Sequence, residues 1–146
     1  MRSLVLRTLG VLIAAGIGAT ATAGPAAATG NNTFRLVSGG VVASGSYDHM
    51  MSIPEQPAPP IRVTGTLTGR DYFRCAVIQV GRSGPADGLE WQTFGRHCGP
   101  GRTKVRVQAN YMFRGVQPPV RLCSGWSLRQ AEQGRQCDLY RPPTDR

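Results

Sequence analysis

The run Ile61-Arg62-Val63-Thr64-Gly65-Thr66-Leu67-Thr68 alternates between two kinds of position. Ile61, Val63 and Leu67 fall on one side, and Arg62, Thr64, Thr66 and Thr68 on the other. A period of two predicts a half-buried strand. Ahead of it, Ser52 to Pro60 carries four prolines and cannot lie inside a sheet, so it reads as a loop or an edge cover. Tyr72 to Val80 is apolar on both faces and predicts a central strand. Gly81 to Gly88 reads as a surface loop, and Leu89 to Phe94 as a short strand carrying Trp91. Gly99-Pro100-Gly101-Arg102 places Pro and Gly as a tight turn needs them. From Thr103 to Phe113 the alternation returns. Val105, Val107, Ala109, Tyr111 and Phe113 are expected inside, and Lys104, Arg106, Gln108 and Asn110 outside. Gln117-Pro118-Pro119 breaks the run, and Val120 to Cys123 resumes it.

The C-terminal stretch changes character. Ser127-Leu128-Arg129-Gln130 fits a capping box and Gly134 fits a stop, which predicts a short helix over 128–133. An irregular disulfide loop is the competing reading. Six or seven short strands with frequent turn signals, spread over residues 34–140, predict one all-β domain. Its expected form is a small antiparallel β-sandwich, immunoglobulin-like or similar, or a small barrel.

The first 23 residues stand apart. Arg2 and Arg7 precede an apolar run from Leu9 to Ile17, and Ala21-Thr22-Ala23 supplies the small residues that a signal peptidase reads. Cleavage is expected after Ala23, with Ala28 as the alternative. The run is far short of the roughly 20 residues that a membrane span requires. The product is therefore expected to be secreted and extracellular, with a disordered lead over 24–33 and a frayed tail over 141–146.

Export gives the cysteines their meaning. Cys75, Cys98, Cys123 and Cys137 make an even set in a small exported chain, which predicts disulfides. Three connectivities are open, and the sequence-local one, Cys75–Cys98 with Cys123–Cys137, is favoured. Zinc and redox sites use close Cys pairs, and none exists here. His49-Met50-Met51 has copper(I)-type ligands, but a loop edge accounts for it more simply. No metal and no cofactor is expected.

Charge sharpens the picture. The chain has 17 basic and 8 acidic residues, and its formal charge is +9. No acid occurs between Trp91 and Ala131, whereas seven basic residues do: Arg96, Arg102, Lys104, Arg106, Arg114, Arg121 and Arg129. Arg102, Lys104 and Arg106 share one strand face with about 7 Å between neighbours. Such a row attracts an anionic polymer. An arginine-rich composition by itself also produces a solvated basic face. Catalytic signatures are missing: there is no nucleophile elbow, no metalloprotease helix motif and no phosphate-binding glycine loop. Asp87 and Glu90 flank a loop, with nothing to set them across a cleft. The chain is expected not to be an enzyme.

The make-up resembles the small exported proteins of GC-rich actinobacteria. Cys75-Ala76-Val77-Ile78, followed by Cys98 ahead of Val105-Arg106-Val107, resembles the cysteine-and-strand order of the tendamistat-type α-amylase inhibitors. That resemblance implies a two-disulfide sandwich that could block a hydrolase. The inhibitors' Trp-Arg-Tyr triplet is absent, and Trp91-Gln92-Thr93-Phe94 does not replace it, so no inhibitory residue carries over. The subtilisin inhibitors are similar in size and bridge number but differ in cysteine spacing.

The leading expectation is an exported, non-enzymatic binding protein acting through the basic row or a disulfide-anchored loop. An anionic cell-wall polymer is the expected partner for the row. Alternatives are an inhibitor of an extracellular amylase or protease, using Gly81–Gly88 or Gly99–Arg102, and a carbohydrate-binding module stacking sugars on Trp91 or Trp126. Nucleic acid is disfavoured and a monomer is expected.

Overall fold

The computed structural model describes residues 32–50 and 59–143. The expected signal peptide, nearly all of the lead, most of the proline-rich segment and the last three residues lie outside the described residues. Among those described are eight strands: β1 (Asn32–Ser38), β2 (Val41–His49), β3 (Ile61–Gly69), β4 (Cys75–Ser83), β5 (Leu89–Cys98), β6 (Gly101–Ala109), β7 (Val120–Gly125) and β8 (Cys137–Tyr140). One helix, α1 (Leu128–Glu132), joins β7 to β8. The strands form two four-stranded antiparallel sheets, ordered β1-β2-β3-β6 and β5-β4-β7-β8. This order differs from that of immunoglobulin domains, whose third strand crosses to the second sheet.

Alternation builds the core. Val41, Ala43 and Tyr47 of β2 and Ile61, Val63 and Leu67 of β3 turn inward, against Ile78 and Val80 of β4 and Leu122 of β7. Each fully buried Val, Leu or Ile among them contributes roughly 1.5–3 kcal/mol by leaving water. Ser38-Gly39-Gly40-Val41 closes the first hairpin with a two-residue turn, and both glycines have positive φ, +53° and +81°. A turn of that hand matches the twist of paired strands and is costly for residues other than glycine. The two sheets are tied at their edges. Asp138 on β8 accepts a hydrogen bond from the Val37 amide on β1 at 2.8 Å. Ser38 donates to the Gln136 carbonyl at 2.9 Å, so the Ser124 hydroxyl, also at 2.9 Å, donates to Ser38.

The second sheet carries both disulfides, Cys75–Cys98 and Cys123–Cys137, in the sequence-local pairing. Each joins residues directly opposite one another on neighbouring strands, β4 with β5 and β7 with β8. Helix α1 covers the outer face of this sheet, where Ala131, Val77 and Cys123 are fully buried and Leu128 packs against them. Ser127 caps the helix by accepting from the Gln130 amide at 3.2 Å, and the Gln130 side chain reaches back to the Trp126 amide at 2.8 Å. Gly134 follows at φ +71°. A five-residue helix does not hold its shape alone, and here the cap, the bridge and the buried face hold it together.

Four strand assignments change. Tyr72 and Phe73 do not enter β4 but stand 79% and 75% exposed. Asp71 causes this: its carboxylate accepts from the Phe73 amide at 2.9 Å, and the chain turns there instead of extending. Tyr111 and Phe113 are likewise exposed, because β6 ends at Ala109 and the chain turns through Arg114 and Gly115, both at positive φ. The expected loop from Gly81 is paired as far as Ser83, opposite Leu89, and β5 runs on to Cys98 with a register shift beside Phe94. The eighth strand, only four residues long, lies just beyond the helix.

Two measurements probe this framework. Replacing Cys123 and Cys137 together by serine is expected to lower unfolding free energy by roughly 3 kcal/mol in urea titration, from the 14-residue separation they close. The Tyr47 hydroxyl is buried and donates to the Pro118 carbonyl at 3.1 Å. Burial pushes its pKa well above the ordinary phenol value, and Tyr111 and Tyr140 add to the shift. A phenol raised in the folded state stabilises the fold fully below its unfolded pKa, near pH 10, and loses that contribution as pH climbs through the raised value. Stability is therefore expected to fall steeply above about pH 10, and Tyr47→Phe is expected to flatten the fall while costing about 1 kcal/mol at neutral pH.

Candidate anion-binding site

The outer face of the first sheet is built by register. Arg35 on β1 lies opposite Ser44, Ser44 opposite Thr66, and Thr66 opposite Lys104. The next row runs Thr33, Ser46, Thr64 and Arg106. The row on the other side runs Val37, Val42, Thr68 and Arg102, and Asp48, Arg62 and Gln108 make a fourth. All these residues are exposed or half-buried. The face thus carries five cations, Arg35, Arg62, Arg102, Lys104 and Arg106, and one carboxylate among the described residues. Arg35 and Lys104 sit at the two ends of one row, roughly 14 Å apart at three strand spacings.

Between these flanks lies a depression of about 600 Å³, lined by Ser44, Ser46, Thr64, Thr66, Lys104 and Arg106 around Gly45 and Gly65. The two glycines face each other in the register. A Cβ on Gly45 would collide with the Thr64 carbonyl, and one on Gly65 would stand 2.7 Å from the Ser44 carbonyl. The strands approach closely because neither residue has a side chain. Hydroxyl groups stand along the sides of the depression. Ser46 donates to Asp48 at 2.9 Å, so the Thr64 hydroxyl, at 3.0 Å, donates to Ser46. The one carboxylate of the face is thereby held by a hydroxyl chain at the end of the depression. The arrangement presents positive charge and hydroxyl groups to an extended anion. No aromatic ring belongs to any of the four rows.

Sequence reading picked out Arg102, Lys104 and Arg106, and the three do share the exposed face of β6. It missed Arg35 and Arg62, which lie outside the acid-free stretch and join the row only through strand pairing. The other cations of that stretch scatter. Arg96 pairs with Glu132 at 2.8 Å, Arg129 belongs to α1, and Arg114 is in the turn after β6.

Neither tryptophan is in the core between the sheets. Arg121 lies over the Trp91 ring at 4.0 Å and Arg74 over the Trp126 ring at 3.9 Å, so each indole has a guanidinium on one face. Arg121 Nε also donates to the Gln79 side-chain Oε1 at 2.7 Å, and Gln79 Nε2 donates to the Thr93 hydroxyl at 2.9 Å. Burial lowers the Arg121 pKa. His97, beside Cys98, is buried and bridges the two sheets. Its Nε2 donates to the Gly99 carbonyl at 2.9 Å, and its Nδ1 shares a hydrogen bond with the Thr103 hydroxyl at 2.9 Å. Cys98 is disulfide-bonded and cannot serve as a nucleophile. His49 stacks on Tyr111, and Met51 lies outside the described residues.

Scans against protein-family models, curated proteins and solved structures return no match for this chain. No described helix is long and apolar enough to cross a membrane.

Removing Arg121 is expected to cost more than removing any cation of the outer face. Arg121→Ala strips Gln79 of a donor and uncovers Trp91, with an expected loss of roughly 1–3 kcal/mol in urea titration. Arg106→Ala is expected to stay within about 0.5 kcal/mol of the parent.

Proposed function

We propose that this chain is an exported, non-enzymatic binding domain that holds an anionic polymer on the outer face of its first sheet. The observation that carries the reading is the five-cation face around a hydroxyl-lined depression, with a single carboxylate that a serine hydroxyl engages. Cations spaced about 7 Å apart along β6 suit a chain of repeating phosphates or carboxylates, such as a cell-wall polyphosphate or an acidic sugar. Side-chain hydroxyls between them suit the sugar or polyol links of such a polymer. Single-stranded nucleic acid is a poorer fit, since its binding modules stack bases on aromatic rings and the face has none. Disulfides placed across neighbouring strands suit a protein that works outside the cell.

The test is retention on immobilised heparin or teichoic acid, using the mature chain with its disulfides formed. Replacing Arg102, Lys104 and Arg106 together by serine is expected to weaken binding roughly tenfold at low salt and to lower the eluting salt concentration. Adding Arg35→Ser is expected to lower it further. Arg114→Ser with Arg129→Ser changes the net charge by two without touching the face, and retention is expected to hold much closer to the parent. Equal losses in the two sets, or unchanged retention in the first, would overturn the reading.

A further inference from the structure

A second surface lies at the end of the sandwich where β3 crosses to β4. Tyr72 and Phe73 stand side by side there, 79% and 75% exposed, and Trp126, from the β7–α1 junction, is 63% exposed. Arg74 links the two sets of rings, since it follows Phe73 and lies over the Trp126 indole. This exposure does not come from a loose loop. Asp71 accepts from the Phe73 amide, and the Gly99 amide donates to the Arg74 carbonyl at 2.9 Å. The Cys75–Cys98 bond clamps the next residue to β5. A held turn thus keeps two large aromatic side chains in water. Around them stand Arg70, Arg74 and Arg135. Beside Trp126 is a depression of about 320 Å³ lined by Arg74, Arg135, Ser124, Gln130 and Gln136. The only carboxylate of the turn, Asp71, is engaged by a backbone amide.

We propose that this corner docks the domain on an anionic lipid surface, with Tyr72, Phe73 and Trp126 entering the head-group region and Arg74 and Arg135 meeting lipid phosphates. Area decides between a lipid and a protein partner. At these exposures three aromatic side chains offer roughly 300–550 Å² together, below the roughly 800 Å² per partner of a standard protein interface. A bilayer interface needs no matching shape. Its head-group level favours tyrosine and tryptophan, and arginines beside it gain from anionic lipid. The depression supplies two guanidinium groups and three polar side chains at the scale of one head group. This proposal does not depend on the polymer reading, because the corner and the sheet face use different side chains.

The experiment is co-sedimentation of the mature, disulfide-bonded chain with vesicles, of phosphatidylcholine alone or with added phosphatidylglycerol, at low salt. Binding is expected only with the anionic lipid, together with a blue shift of tryptophan emission. Trp126→Phe is expected to abolish the shift, leaving Trp91 unmoved beneath Arg121. Tyr72→Ser with Phe73→Ser, at largely exposed positions, is expected to weaken partition at least tenfold, since two partly inserted aromatic side chains no longer leave water. Arg135→Gln is expected to weaken it about fivefold. The Arg102, Lys104 and Arg106 triple variant separates the two surfaces, since it is expected to lose polymer retention and keep vesicle binding with its emission shift. The docking proposal is overturned by absent binding to anionic vesicles, by full binding of the Tyr72/Phe73 variant, or by loss of vesicle binding in the triple variant alone.

Discussion

The register of β3 is the constraint on which the rest of this molecule depends. β3 is paired on both sides, with β2 along eight residues and with β6 along nine. Its side chains alternate, so one register sets the facing of three strands together. A slip of one residue would send Ile61, Val63 and Leu67 to solvent and Arg62, Thr64 and Thr66 into the core. Apolar burial on one side therefore fixes where the cations stand on the other. Arg35, Lys104 and the hydroxyls between them form one row because Leu36, Leu67 and their neighbours must face inward.

The second sheet is organised differently. It has a buried seam on each face: the main core on one side, and on the other Val77 and Cys123 beneath α1. Apolar burial on both faces leaves alternation less decisive, and covalent bonds supplement it. Each disulfide joins a directly opposed pair, so each also locks a register, β4 against β5 and β7 against β8. The first sheet has no disulfide and takes its register from alternation and a glycine turn. The helix belongs to the disulfide-locked sheet for the same reason. A five-residue helix needs an anchored base, and Cys123 supplies one in the strand that leads into it.

What the sequence made legible follows this division. The β3 strand, the sandwich class, the capped helix and the bridge pairing were all readable, because period two, Ser127 with Gln130, and chain proximity are local signals. Tyr72, Phe73, Tyr111 and Phe113 were misread as buried for a common reason. Each continues an apolar pattern past the point where the chain turns, and the turn is made by a side-chain-to-amide bond at Asp71 or by positive φ at Arg114 and Gly115. Apolar character does not report either. The four-residue β8 was hidden because it is too short to show an alternation of its own and pairs only with β7. The candidate face was half legible. Composition exposed the row on β6, but Arg35 reaches Lys104 only through Ser44 and Thr66, pairings that span 9, 22 and 38 residues of chain, and Arg62 faces Gln108 across 46.

Edge protection explains part of the charge on the first sheet. β1 and β6 are the outer strands of its hydrogen-bonded order, and charge on an edge strand discourages pairing with another chain. That accounts for Arg35 on one edge and Arg102, Lys104 and Arg106 on the other. It does not account for Arg62, which lies on an interior strand whose edges are both already paired. It also does not account for the middle of the face. A sheet that needed only blunted edges could carry any polar residues between them, yet the outward positions Ser44, Ser46, Thr64 and Thr66 all hold short hydroxyl side chains. Those short side chains keep the middle of the face low beside the longer arginine and lysine side chains at its edges. Edge protection requires no such relief, whereas the binding role proposed for this face would use it, with Arg35 on one side and the line of Arg102, Lys104 and Arg106 on the other.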